Sequence, residues 1–450
     1  MIKTTDMTSG KPAKLILKFA LPLIITNIGQ QLYMIVDGII VGRGVGVDGL
    51  AAVGATDWIY WMILWSVMVM TQGFATFVSR YYGEKNYKKI NKTIAMSALL
   101  TVAVGITVTV VGILTARPLL ELLKTPENII DGATVYLVTL IAGALAIAAY
   151  NLSAAILRAF GDGRSPFVAM VIAAILNVGL DLLFVLVFKW GIFGAAIASV
   201  LSQAVSFIYC YVKIRKIEFV RLDKKVFTPD FRLLAELFKF GMSLALQYVV
   251  ISLSGVVLQS TVNLWGSNFI AGYTATNKVY GLLECTAIAL GASCSTYFAQ
   301  NYGAKNYGRV RQGVKTGAVI ATLTSLAVTA VSLLVGRYLL MAFLDINVEG
   351  GQEAFDVALK YLNVMALSLS ILYLIYVFRQ VLQAMGNSTW SLISGFGEFG
   401  ARVFMAKAVV NWMGQNTLYA VEPVAWVAAL LFVMVPYLVY FRKKLKRMEG

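Results

Sequence analysis

Two aspartates interrupt long apolar stretches in the first half of the chain: Asp37 in QQLYMIVDGIIVG and Asp181 in AAILNVGLDLLFVL. An ionised carboxyl at membrane depth costs about 2.5–3.5 kcal/mol on insertion scales, so such a residue is a functional candidate by default. Asn177 precedes Asp181 by four positions and shares its helix face. Asn151 in AAYNLSAAIL and Ser199 in GAAIASVLSQ add an amide and a hydroxyl in neighbouring apolar runs. Two carboxylates, two amides and a hydroxyl offer oxygen ligands to Na⁺, at Asp37, Asn177 and Asp181, or a carboxylate pair that shares a proton. Both chemistries use the same acids, and both stay open at this level. The competing account makes Asp37 a helix cap and gives Asp181 a basic partner, but no Lys or Arg in the first six apolar spans falls at their depth.

The second half carries a different set. Glu398 and Arg402 are spaced i,i+4, and Lys278 and Glu284 share one apolar run. Pairing that neutralises buried charge is the expectation for both, with Glu284 or Glu398 as the alternative substrate contact. Gln30, Gln31, Tyr33 and Gln247 are further candidates for a substrate cleft, although interhelical hydrogen bonding explains the glutamines equally well. Histidine is absent, which leaves proton chemistry to carboxylates. The three cysteines (Cys210, Cys285, Cys294) show no metal-ligand spacing and read as small packing residues. Neither an enzyme nor a cofactor is expected; H⁺ or Na⁺ is the expected guest of the acidic cluster.

The elements that position these residues follow from composition. The chain is 59% hydrophobic and 13% charged, with mean hydropathy +0.77, too few charges to solvate a soluble protein of this size. Apolar runs of membrane-crossing length mark twelve spans, at 17–41, 57–79, 93–115, 133–157, 166–187, 191–212, 240–264, 272–298, 313–335, 357–381, 389–410 and 424–441. The N-terminal apolar segment lacks a small-residue cleavage site and reads as the first membrane helix. Most of the 38 Lys and Arg residues fall in the termini and the loops that share their side, among them Arg80 to Lys92, Lys213 to Lys239 and the tail FRKKLKRMEG. Both termini are therefore expected in the cytoplasm. The net charge of +16 is a matter of topology and calls for no nucleic-acid partner. Asp37 then lies roughly 30 Å, and Asp181 roughly 22 Å, along its helix from the cytoplasmic end.

The chain also repeats itself. Tyr82, Gly83, Lys85, Asn86 and Tyr87 of YYGEKNY recur as Tyr302, Gly303, Lys305, Asn306 and Tyr307 of NYGAKNY. LRAFGDGRS (157–165) recurs as LQAMGNSTW (382–390), and FALPLII (19–25) faces FGMSLAL (240–246). Six spans per half give both halves the same orientation, a parallel duplication. The expected domains are an N-terminal lobe at 1–212, a cytoplasmic linker at 213–239 and a C-terminal lobe at 240–450. In the YG-x-KNY phrases, Gly83 and Gly303 are expected to turn the chain, while the tyrosines and lysines suit the membrane interface. Val257 or Leu258 faces Asp37, and the position facing Asp181 is near Ala406, so the acidic pair belongs to the first half alone.

At these residues the chain resembles the MATE (multidrug and toxic compound extrusion) transporters. LPLIITNIGQQLYMIVDGIIVG, AAYNLSAAILRAFGDGRSP, ILNVGLDLLF followed by GIFGAAIASVLSQ, and the paired YG-x-KNY phrases carry the likeness over essentially all spans. The resemblance implies an all-α polytopic membrane protein whose twelve transmembrane helices form two six-helix lobes, V-shaped around a central cleft. It also implies export of organic cations or polyaromatic drugs in exchange for Na⁺ or H⁺. Asp37, Asn151, Asn177, Asp181 and Ser199 match the family's coupling positions, with Ser in place of the Thr usual in one branch. The NorM-like branch has a glutamate in span 7; FGMSLALQYVVISLSG has none, with Ile251 close to the expected place. That departure points to a DinF-like member. A bacterial cytoplasmic (inner) membrane location among lipids, as a monomer, follows from the same likeness.

A lipid-linked precursor or polysaccharide flippase of the same superfamily is the alternative. It needs cationic side chains for pyrophosphate, and Lys278, Arg402 and Lys407 are those available. A membrane enzyme lacks support, with no His, no metal motif and no nucleophile–base arrangement.

Overall fold

Apolar runs too long for a small soluble core satisfy their backbone polar groups internally by forming helices, as hydrocarbon requires. The computed structural model describes residues 4–449, with the side chains at 47, 57 and 58 outside the description. The long helices are α1 (Pro12–Gly44), α2 (Val47–Gly83), α3 (Tyr87–Leu122), α4 (Glu127–Ala142), α5 (Ala144–Ala159), α6 (Arg164–Asp181) and α7 (Gly191–Arg215), then α8 (Phe231–Val262), α9 (Ser267–Gly303), α10 (Tyr307–Met341), α11 (Gly351–Ala384) and α12 (Thr389–Phe404). The short α13 (Val410–Met413) precedes α14 (Val421–Pro436) and the basic α15 (Arg442–Glu449). Among the described residues, ten helices are long and apolar enough to cross a membrane, or eleven when α4 and α5, bent by 47°, count as one span. The span expected at 389–410 forms a helical rod from Thr389 to Met413, but Glu398, Arg402 and Lys407 lower its hydropathy. Pro22 lies within α1, which runs through it as one helix.

Contacts divide the chain into two units. One comprises Ile25–Ala245 with the residues up to Asp6; the other comprises Met7–Ile24 and Leu246–Gly450. This boundary differs from a cut at 212 or 240, because the start of α1 packs with the second unit: Ile16, Phe19 and Leu23 join its core. Inside the first unit α2 packs on α3 and α5, α3 on α4 and α5, and α7 on α5 and α6. The second unit repeats this plan, with α9 on α10 and α11, α10 on α11, and α14 on α11 and α12. The continuous α11 thus stands where the first unit has the bent pair. Gly143 marks the bend, and a Cβ added there would collide with Val200 of α7.

The repeated phrases are paired helix stops and starts. Lys85 N donates to Tyr82 O at 3.0 Å and Asn86 N to Tyr81 O at 3.0 Å; Lys305 and Asn306 repeat the pattern on Tyr302 and Asn301. The left-handed residues of these turns are Lys85 (φ 56) and Lys305 (φ 59), whereas Gly83 and Gly303 end the preceding helices. The expectation that the glycines turn the chain is corrected accordingly: the two hydrogen bonds of a Schellman stop impose the left-handed conformation two residues later. In the other repeated phrase the glycines do take that role, Gly161 at φ +74 and Gly386 at φ +82. Asp162 then accepts from Arg164 N and Ser165 N, and Asn387 accepts from Trp390 N, to start α6 and α12.

Candidate functional site

α6 brings Asn177 and Asp181 to one buried face, at 2% and 0% exposure. Beyond Asp181 the helix widens into a π-helical turn, Leu182–Val187, a device frequent at functional sites because it re-aims the side chains around it. Asn177 Nδ2 donates to Ser199 Oγ of α7 at 3.3 Å. Asp37 of α1 lies close enough to Asp181 for the two carboxyls to interact electrostatically. Four of the five coupling candidates therefore converge inside one unit: Asp37, Asn177, Asp181 and Ser199, joined by Tyr33, one turn before Asp37, whose neighbours include Tyr60 and Tyr150.

The polar bookkeeping of this cluster is unbalanced. Asp37 Oδ1, both carboxyl oxygens of Asp181 and Asn177 Oδ1 are buried without a hydrogen-bond donor. Such orphans are uncommon because each costs about 1–3 kcal/mol, more when charged. Two carboxylates this close repel unless a proton or a cation lies between them. Four inward acceptor oxygens supply what either guest requires. Asn151 gives its amide to the backbone: its Nδ2 donates to Ile147 O of its own helix at 2.9 Å.

The second unit's charges are distributed otherwise. Glu398 is gripped by Arg402 (Nη2–Oε1 3.0 Å) and by Arg379 of α11 (Nη2–Oε2 2.8 Å), and Arg402 also binds Glu422 of α14 at 2.7 Å. The expected i,i+4 pair is present and larger than anticipated. Lys278, by contrast, is exposed and makes no ion pair with Glu284 among the described residues; Tyr376 Oη donates to Glu284 Oε1 at 3.1 Å instead. That pairing is corrected: Lys278 precedes Glu284 by six positions, which sets the two about 120° apart around the helix. Arg379 and Glu422 escaped notice because they stand at the ends of apolar runs, where a charge reads as interfacial. Gln30 is exposed, Gln31 is half-buried, and Gln247 is buried against Gly395.

A family model, MatE, matches residues 22–183 and again 243–406. The chain belongs to the MatE family of multidrug efflux transporters. Its two matched segments coincide with the two halves of the duplication, and the first contains both Asp37 and Asp181. Over 437 residues the chain is 25% identical to the probable multidrug resistance protein YoeA of Bacillus subtilis, covering 95% of this chain and 93% of that one. It is 27% identical over 416 residues to the probable multidrug resistance protein YpnP of the same organism, covering 92% of each. A solved MATE transporter in complex with MaL6 has the same fold, with a TM-score of 0.89 at 22% identity over 100% of both chains.

Proposed function

We propose that this MatE-family chain is a secondary active antiporter that exports organic cations or polyaromatic compounds in exchange for Na⁺ or H⁺, with the exchanged ion held at Asp37 and Asp181. The observation that carries this reading is the set of four buried acceptor oxygens without donors on Asp37, Asn177 and Asp181. An empty dyad of this kind favours whatever arrangement separates its charges, and an occupied one favours closer packing. Occupancy thereby biases a two-state equilibrium by the difference in ion affinity between the states. Ion uptake from outside repacks α1, α5, α6 and α7, weakens drug binding and favours release; the emptied carrier then returns inward. The multidrug names of the relatives support the cargo class, and the absence of a glutamate from the membrane part of α8 supports a DinF-like placement. The setting is a bacterial inner membrane, with both termini cytoplasmic and a monomeric protein. A flippase of lipid pyrophosphates would need a cluster of uncommitted cations; of Lys278, Arg402 and Lys407, Arg402 is bound by carboxylates, which leaves the two lysines.

The test is efflux of ethidium from liposomes containing the purified protein, under an imposed Na⁺ or proton gradient. One gradient should drive wild-type efflux. Asp37→Asn and Asp181→Asn should each abolish gradient-driven movement while eluting as folded protein. Full coupled efflux by either variant would refute the assignment.

A further inference from the structure

Three hydroxyls of α3 lack the partner that a helix ordinarily offers. Thr93, Ser97 and Thr101 are 0%, 0% and 3% exposed, and the side-chain oxygen of each is buried without a hydrogen bond. Other hydroxyls of the same helix find carbonyls: Thr107 donates to Ala103 O, Thr115 to Val111 O and Thr109 to Ile141 O. The three orphans are spaced i, i+4, i+8, so they stand in a row on one face.

The duplication shows that packing does not require this row. At an offset of 220 residues its positions are Gly313, Gly317 and Ala321 of α10. There the seam is closed by side chains of α9 and α11. A Cβ added at Gly313 would collide with the Tyr297 ring, and one at Gly317 would lie 3.2 Å from Cys294 Sγ and 3.4 Å from Val377 Cγ1. The α2 residues that correspond to Tyr297 and Cys294 are Phe77 and Phe74, and both turn toward α8. Phe77 meets the Phe240 ring edge-on with centroids 5.2 Å apart, and a Cβ at Gly241 would lie 2.7 Å from Phe74 Cε1. Where the second unit has a seam filled by a ring, the first has a row of hydroxyls.

We propose that Thr93, Ser97 and Thr101 hold a file of buried water inside the first unit. Residues four apart on a helix rise by about 6 Å. That is too far for one hydroxyl to reach the next, but two O–H···O bonds placed end to end span about 5.5 Å. One water molecule between each pair therefore satisfies all three hydroxyls, the ordinary service of buried water to polar groups without protein partners. A metal ion is a poorer guest, because hard cations take carboxylate and carbonyl oxygens in larger numbers. The row runs from roughly 9 Å to roughly 21 Å along α3 from its start at Tyr87, and Asn177 lies roughly 20 Å along α6 from its start at Arg164. The file thus leads from near the YYGEKNY turn to a depth comparable with that of the acidic cluster. Each hydroxyl both donates and accepts, so the file is also a chain along which a proton can move. The site stands whichever ion the chain exchanges.

Radiolytic footprinting of the detergent-purified full chain, mapped by mass spectrometry, tests it. A short X-ray pulse makes hydroxyl radicals from water where it stands, so a buried side chain beside bound water is oxidised although bulk solvent cannot touch it. Met96, three residues after Thr93 and next to Ser97, is 0% exposed; Met365 of α11, 1% exposed, is the equally buried reference. Met96 should be oxidised several times faster than Met365, and Thr93→Val combined with Ser97→Ala should remove most of the difference. Equal rates in the wild type, or an unchanged Met96 rate in the double variant, overturn the file. Thermal unfolding gives a second reading in which the two accounts differ in sign. Hydroxyls that hold water stabilise the fold, so the double variant should melt about 2 °C or more below wild type. Hydroxyls buried without any partner destabilise it, and their removal would raise the melting temperature. A rise, or no change, overturns the proposal. Should the double variant fail to fold, the wild-type comparison of Met96 with Met365 decides alone.

Discussion

Arg402 donates to Glu398 and Glu422 at once, and its Nη1 reaches Ser254 Oγ. Its removal leaves Glu422 without a cation, while Glu398 keeps Arg379. Stranding one member of a buried pair costs about 3–5 kcal/mol. Arg402→Ala should therefore lower the melting temperature of detergent-solubilised protein by roughly 5 °C or more, and Arg402→Lys should recover a part, because one ammonium cannot reproduce the guanidinium fork. Thermal unfolding followed by intrinsic fluorescence measures this, and a shift below about 1 °C would show that the network is dispensable. At this scale the sequence was informative where spacing defines a helix face. Asn177 with Asp181, and Glu398 with Arg402, were legible as i,i+4 pairs. The Tyr376–Glu284 and Arg379–Glu398 contacts join different helices, and which helices meet is a tertiary fact that no local spacing encodes.

Elements decide whether such residues meet. Both units interrupt the helix at corresponding places: Leu182–Val187 directly follows α6, and Met405–Val409 directly follows α12. A π turn holds one residue more than an α turn, so deleting a residue from it restores α geometry and removes the local widening that re-aims the neighbouring side chains. Deleting Leu183 should abolish gradient-driven ethidium efflux, because Asp181 lies at the junction and α7, with Ser199, follows it. Deleting Ala408 closes the turn before the short helix that ends at Met413, and should leave coupling within about threefold while lowering stability. Efflux measured side by side in liposomes separates the two, and equal losses would mean that the first turn has no special part in the site. Hydropathy placed the helices but not these turns, because π and α turns use the same apolar residues. The Lys85 and Lys305 turns were hidden for a related reason: their conformation is set by backbone hydrogen bonds to Tyr82 and Tyr302 rather than by side chain.

For the molecule as a whole, the internal duplication and the membrane class were written in periodicity and composition, and the doubled family match agrees with both. The affiliation of the chain's beginning was not, because the two halves resemble one another and either might have received it. The structure places Met7–Ile24 with the second unit, whereas the residues just before them belong to the first, where Thr5 N donates to Phe160 O at 3.1 Å. Met7 N donates to Gln300 Oε1 at 2.8 Å, Asn301 Nδ2 donates to Met7 O at 3.0 Å, and Arg309 Nη2 donates to Gly10 O at 2.9 Å. At the corresponding positions of the first half stand Tyr81 and Lys89, and Lys89 makes an exposed pair with Glu84 at 3.4 Å. The second YG-x-KNY phrase is thus also a socket for the N-terminal segment, which explains why Asn301 and Arg309 depart from their repeat partners. Hydrogen bonds to a charged donor contribute about 1.5–3 kcal/mol, whereas an exposed ion pair contributes at most about 1. Arg309→Ala should release the segment and speed tryptic cleavage after Lys14 by tenfold or more, while Lys89→Ala leaves it unchanged within about twofold. Limited proteolysis with mass-spectrometric mapping reads this directly. Equal cleavage in the two variants would show that burial of Met7 and Ile16, rather than the Arg309 contacts, holds the segment in place.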